Sequence, residues 1–329
     1  MMGRREFITL LGSAAAWPVA ARAQQPAMPV VGYLSSGSSA SDANKIGAAA
    51  FREALRHAGF VDGRNVAIEY RWADTHYDRL PGLAADLVRR RVDAIVAVGA
   101  APNVLAAQAA TTSIPILFAM GGDPVRLGLV ANLRRPGGNL TGTTNLNTEI
   151  LPKRLELLHE LVPAADTIAL LVNPTNPAAE GQTKDVQAAA SVLGRQISIL
   201  RASDENDLNS VFTTLTRSRA RGLVIAGDGL FVSHSEQLAA LALRHGVPAI
   251  FQFPQFTAAG GLMSYGASYV DQFRTVAGYT ARVLMGEKPA DMPVLQEARI
   301  ELIINLRTAK VLDLAMPTGL LVAADEVIE

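Results

Sequence analysis

Cysteine is absent from all 329 residues. That excludes a disulfide scaffold, a thiolate-ligated zinc or iron–sulfur centre, a cysteine nucleophile and a lipid-modified cysteine. An excess of one charge is also missing, since 30 basic side chains stand against 30 acidic ones. With no long basic run, this balance gives no electrostatic reason for nucleic acid or an anionic membrane as partner. Aromatic residues make up only 5% of the chain, which argues against a ligand cavity built mainly from aromatic cages and for a small polar solute. No later segment approaches the ~18 uninterrupted apolar residues of a membrane-spanning helix. The length predicts about two domains at ~150 residues each.

Residues 1–23 read as an export signal rather than as part of the fold. Arg4 and Arg5 precede Glu6, Phe7 and Ile8, then a weakly apolar run ends in Ala21-Arg22-Ala23, a small-x-small peptidase site that predicts Gln24 as the mature N-terminus. The paired arginines resemble the twin-arginine signal, with Gly3 where Ser or Thr is usual; an ordinary secretory peptide is the alternative. The expected product is exported and free in the periplasm, because no cysteine follows the signal to carry a lipid. Trp72 is then the only tryptophan left.

From Val30 onward, short β-branched runs alternate with helical patterns. Strands are expected at 30–34, 65–70, 93–98, 114–119, 167–172, 196–200, 222–226, 248–251 and 262–265. Most are continuous apolar runs, the mark of strands buried on both faces of a parallel sheet. Between them, Leu80, Leu83, Ala84, Leu87 and Val88 form one apolar helical stripe. Landmarks in the first half recur about 130 residues later: Leu55 to Gly59 with Val192 to Gly194, Asp93 with Gly222, and Ile114-Pro115 with Val247-Pro248. A period this long indicates two domains, not a solenoid.

The predicted fold class is therefore α/β, with two similar Rossmann-like lobes, each with a parallel sheet, joined by a hinge. The first lobe is expected over 24–143 plus about 268–292, and the second over 144–267. Residues 293–329 form a hinge-crossing strand and a C-terminal segment without lobe assignment. The stretch 136–147, rich in Gly, Thr and Asn, reads as the first crossing with little core material, and a second crossing is expected after Tyr265.

Enzyme motifs mostly fail. Gly227-Asp228-Gly229 starts a dinucleotide-like pattern, but Val232 replaces its third glycine and Gln252 stands where the acid should be. The chain holds no phosphate-cradling Gly-x-x-x-x-Gly-Lys motif, no metal-spaced histidine pair and no nucleophile elbow. No cofactor, metal or catalytic residue is expected. What remains is a set of residues at strand ends, where open α/β sheets bind ligands. Ser35 and Ser36 offer hydroxyls before a helix N-terminus, suited to a carboxylate, with a flexible loop and a helix cap as the alternative. Gly99 and Ala101 allow close backbone approach. Asp123, Asn173 and Asp228 are each also plausible helix caps. Gln252 and Tyr265, with Phe253, lie at later strand ends near the hinge, where a core role is the alternative to ligand contact.

Taken together, several stretches carry a resemblance. They are the signal with Ala-Arg-Ala-Gln-Gln, residues 65–72 (NVAIEYRW), Gly122-Asp-Pro, 136–142 (PGGNLTG), 260–266 (GGLMSYG) and Ile304-Asn-Leu. The chain resembles the ABC-type substrate-binding protein family that includes the tryptophan-binding transport proteins. The resemblance implies a type I periplasmic binding-protein fold, a two-lobe clamp without catalysis. It also implies a small-molecule ligand such as an amino acid, and an ABC permease with its ATPase as partner. In the aromatic-binding branch a Thr commonly precedes the proline of the third strand end, where Ala101 stands here. A sensory module for a membrane receptor and an exported α/β hydrolase or isomerase are the alternative functions.

Overall fold

The computed structural model describes residues 28–145 and 147–329, so the expected export signal lies outside the described residues. In chain order the strands are β1 (Val30–Ser35), β2 (Ala67–Trp72), β3 (Ala94–Gly99), β4 (Ile116–Gly121), β5 (Leu140–Asn145), β6 (Thr167–Val172), β7 (Gln196–Arg201), β8 (Leu223–Ile225), β9 (Ala249–Phe251), β10 (Met263–Ala267), β11 (Leu295–Glu297), β12 (Ile300–Asn305) and β13 (Glu326–Ile328). They form two sheets, ordered β11-β5-β4-β3-β1-β2 and β13-β12-β10-β9-β8-β6-β7. The first is parallel throughout. The second is parallel except where β10 meets β12.

The repeated sequence spacing reads out as a repeated strand order. Counted within each lobe, β2-β1-β3-β4-β5 and β7-β6-β8-β9-β10 follow one doubly wound pattern. Such sheets leave a crevice at the carboxyl ends of the strands, where the order reverses. Here those ends are Ser35 and Gly99 in the first lobe, and Val172 and Ile225 in the second.

The apolar runs form the core for the expected reason: β3, β4 and β6 are almost wholly buried between helices. The predicted stripe is the Leu80–Arg89 helix, with Leu80, Ala84 and Leu87 buried, each leucine contributing roughly 1.5–3 kcal/mol of apolar burial. Among the described residues no helix is long and apolar enough to cross a membrane.

One expectation is corrected. The stretch 136–147 is not only a crossing, because it contains β5, a fully buried strand of the first sheet. Its polar side chains are tolerated because most find partners inside. Thr141 Oγ1 donates to the Met292 carbonyl at 2.7 Å, and Asn145 Nδ2 donates to Gln272 Oε1 at 3.1 Å. Gly142 has φ 152°, and a Cβ there would overlap the Phe118 carbonyl oxygen, so only glycine lets β5 lie this close to β4.

The chain passes between the sheets three times: after β5, after β10 and between β11 and β12. The Tyr269–Leu284 helix follows the second passage and packs on the first lobe, Tyr269 and Phe273 meeting Gly47 of the Asp42–His57 helix.

Candidate functional site

A cavity of about 400 Å³ lies between the two lobes, within the range of small-molecule sites. The first lobe supplies Ser35, Ser36, Gly99, Ala101 and Asp123, and the second supplies Asp228 and Gln252, so seven of the residues expected from sequence meet here. Ser36 is buried and its hydroxyl has no partner among the described residues. Beside it, Gly99 at φ 112° ends β3 and leads into the N-cap Ala100 of the Ala101–Ala110 helix, where no side chain caps the first N–H groups.

Asp228 is the most heavily bonded group in the cleft. It caps the Gly229–Ser233 helix through the Leu230 N–H at 2.8 Å. It also accepts from Asn173 Nδ2 at 3.0 Å, Asn176 Nδ2 at 2.8 Å and the Tyr77 hydroxyl at 2.7 Å. Burial raises its carboxyl above the usual range, and the four hydrogen bonds only partly offset that. Tyr77 belongs to the first lobe, so this bond spans the cleft. The tyrosine oxygen also accepts the Gly229 N–H at 3.3 Å. A second bond spans the cleft from Asn44 Nδ2 to Ser233 Oγ at 3.0 Å. The lobes are therefore closed on each other.

Two expected site residues fall elsewhere. Asn173 does not line the cavity; it stands behind Asp228, and its Oδ1 accepts from the backbone and hydroxyl of Thr175. Tyr265 is corrected outright. Strand β10 runs two residues beyond it, so Tyr265 is inside a strand rather than at its end, and its ring packs on the second-lobe core. Asp123 does line the cavity, and its Oδ1 also accepts the Val125 and Arg126 N–H groups, capping a turn rather than a helix.

Sequence reasoning missed one wall. Tyr269 and Phe273 from the first-lobe helix join Phe253 from the second lobe, Tyr269 lying 4.8 Å from Phe253 and 4.7 Å from Phe273 between ring centroids. The low overall aromatic content did not forbid this, because three rings from distant segments converge. Asn145, Asn147, Gln272, Asn176 and Gln182 add carboxamides. The mouth carries Arg126 and Glu149 on one side and a Glu180–Lys184 ion pair on the other.

The family model for ABC transporter substrate binding proteins matches residues 40–328. The chain belongs to this family. It is 28% identical over 264 residues to a tyrosine-binding protein of Clostridioides difficile (strain R20291), covering 80% of this chain and 75% of that protein. Among solved structures, the ABC domain of a Streptococcus pneumoniae protein in complex with L-Trp aligns with a TM-score of 0.81 at 24% identity, covering 91% of this chain and 99% of that one. The ligand-free, open structure of a Clostridium difficile substrate binding protein aligns with a TM-score of 0.61 at 26% identity and the same coverage. The fold of this substrate-binding protein is that of the type I periplasmic binding proteins. Family membership places the chain in a class of proteins that bind small molecules and work with a transporter.

Proposed function

We propose that this substrate-binding protein is the exported solute-binding component of an ABC importer. It captures an amino acid or closely related small molecule between its lobes and delivers it to a membrane permease. The observation that carries this reading is the closed interlobe cavity whose lining holds buried polar groups without partners and, along one wall, aromatic rings. The Ser36 hydroxyl and the start of the Ala101–Ala110 helix suit a carboxylate. Phe253, Tyr269 and Phe273 suit an apolar or aromatic side chain, which narrows the small polar solute expected from composition to an amino acid of that kind. The relatives named for tyrosine and crystallised with tryptophan are consistent with it. Closure follows population shift, because a solute touching both lobes favours the closed state. Export through the twin-arginine route and a periplasmic location belong to the same reading.

A thermal-shift screen of the mature protein against amino acids, their amides and small organic acids tests it. A ligand at ~100 times its dissociation constant adds about 2.7 kcal/mol of stability, and amino acids with apolar or aromatic side chains give the largest shifts. A panel in which nothing shifts the melting temperature while one member is chemically converted would overturn the reading. Ser36→Ala removes a hydroxyl that has no protein partner. Its melting temperature without ligand stays at or slightly above the wild-type value, while carboxylate affinity falls roughly tenfold or more, the scale of a hydrogen bond to a charged group. Unchanged affinity by calorimetry would remove Ser36 from the site.

A further inference from the structure

Arg154, in the Leu151–Leu161 helix just after the first crossing, is the only wholly buried basic side chain among the described residues. It has no carboxylate partner there. Burial pushes its guanidinium down to about 9, still protonated at neutral pH. An uncompensated buried cation is costly unless oxygen atoms replace its water. Three do: Nε donates to the Tyr265 carbonyl at 2.7 Å, one Nη to the Asn147 carbonyl at 2.8 Å, and the other Nη to Asn147 Oδ1 at 3.4 Å. The Asn147 Oδ1 also accepts the Ala267 N–H at 2.9 Å. One guanidinium and one carboxamide thus tie the crossing after β5 to the crossing after β10.

This arrangement fixes the orientation of the Asn147 amide. Two donors, from Arg154 and Ala267, converge on one end of it, so that end is oxygen and the other is the NH2 group. Asn147 is 2% exposed and lines the cavity. Its Nδ2 has no partner among the described residues. A carboxamide whose oxygen accepts from a cation is a stronger donor at nitrogen. The wall of the cavity at its hinge end therefore holds a buried, oriented and unspent donor backed by positive charge.

We propose that Asn147 is a specificity-determining ligand contact whose Nδ2 donates to an acceptor oxygen of the bound solute, with Arg154 as the positioning residue behind it. The inference rests on the cavity being the solute site. It selects a carboxylate or carbonyl oxygen at the hinge end and rejects a protonated amine there, which would set donor against donor beside a buried cation. Because Asn147 belongs to the hinge tie, the solute is read at the point where the lobes are joined.

Asn147→Asp is the test, since it keeps an oxygen for Arg154 and Ala267 and replaces only the donor. Its melting temperature without ligand stays at or above the wild-type value. Its affinity for the carboxylates that bind wild type falls tenfold to a hundredfold, as for a lost hydrogen bond to a charged group. Equal affinity would overturn the role of Asn147 and leave the receptor reading standing. Decarboxylated amines of the same binders separate the sources of the oxygen: the variant's deficit vanishes if Asn147 reads the carboxylate and persists if it reads a side-chain oxygen.

Acetate, as a minimal acceptor probe, gives a measurement that does not depend on the amino-acid panel. The Asn147 side-chain amide resonance, assigned by its loss in Asn147→Asp, moves on acetate titration. In Arg154→Met it starts upfield and moves less. An amide resonance that does not respond to acetate in wild type would overturn the inference, whereas a panel without binders would overturn only the receptor reading.

Discussion

The Asp228→Ala variant loses stability in the absence of any ligand, its melting temperature falling by on the order of 10 °C. Four donors converge on that carboxylate: the Tyr77 hydroxyl, two asparagine amides and the Leu230 N–H. Removing the acceptor leaves each unpaired, at about 1 kcal/mol apiece or more when buried. A loss on the order of 4 kcal/mol corresponds to a shift of that size in a domain of 150–250 residues. Asp228 thus holds a corner of the second lobe whether or not it also meets solute. A melting temperature unchanged by calorimetry would show that water or a repacked side chain replaces it. The pH dependence has a definite sign. Because burial raises the folded carboxyl above its ordinary value of 3.8, its contribution is fully present below that pH and is lost as pH rises through the raised value. The stability difference between wild type and Asp228→Asn should therefore shrink as pH rises above 3.8, and a flat difference would contradict the burial argument.

In Tyr77→Phe the fold survives but the clamp loosens. The ring keeps its packing beside the first-lobe core, while the hydroxyl's bonds to Asp228 and Gly229 of the opposite lobe disappear. A hydrogen bond to a charged group contributes roughly 1.5–3 kcal/mol, all of it in the closed state. Solute affinity falls about tenfold to a hundredfold as the competent population shrinks, and the radius of gyration of the free protein grows in small-angle scattering. Unchanged affinity and radius together would mean that the Asn44–Ser233 bond closes the cleft alone. The segment carrying Tyr77 bears a local cost for its position. Asp74 and Thr75 sit at φ 51° and 68°, a region that a β-branched residue avoids. They are held there by backbone bonds to Gly37 and Ser36.

The apolar strands were legible because burial on both faces leaves a compositional trace. The run Thr167 to Val172 has in sequence the bounds that β6 has in the structure. Strand β5 left no such trace, since Thr141, Thr144 and Asn145 are buried through hydrogen bonds that composition does not reveal. The site was legible where a single strand end defines a residue, as at Ser36 or Asp228. It was not legible where the wall is assembled from distant segments: Asn147, Tyr269 and Phe273 reach the cavity only because the chain returns across the hinge. Tyr265 shows the reverse error. Strand β10 runs on to Ala267, so Tyr265 sits inside the strand and its ring packs on the second-lobe core rather than at the crevice.

Three passages between the lobes is an odd number, and parity alone then decides where the first and last described strands ride. Strand β1 begins in one sheet and β13 finishes in the other. Fluorophores attached near Met28 and Glu329 would be carried by opposite jaws, so energy transfer between them would follow the opening angle directly. The polypeptide is wired by its topology as a reporter of its own occupancy.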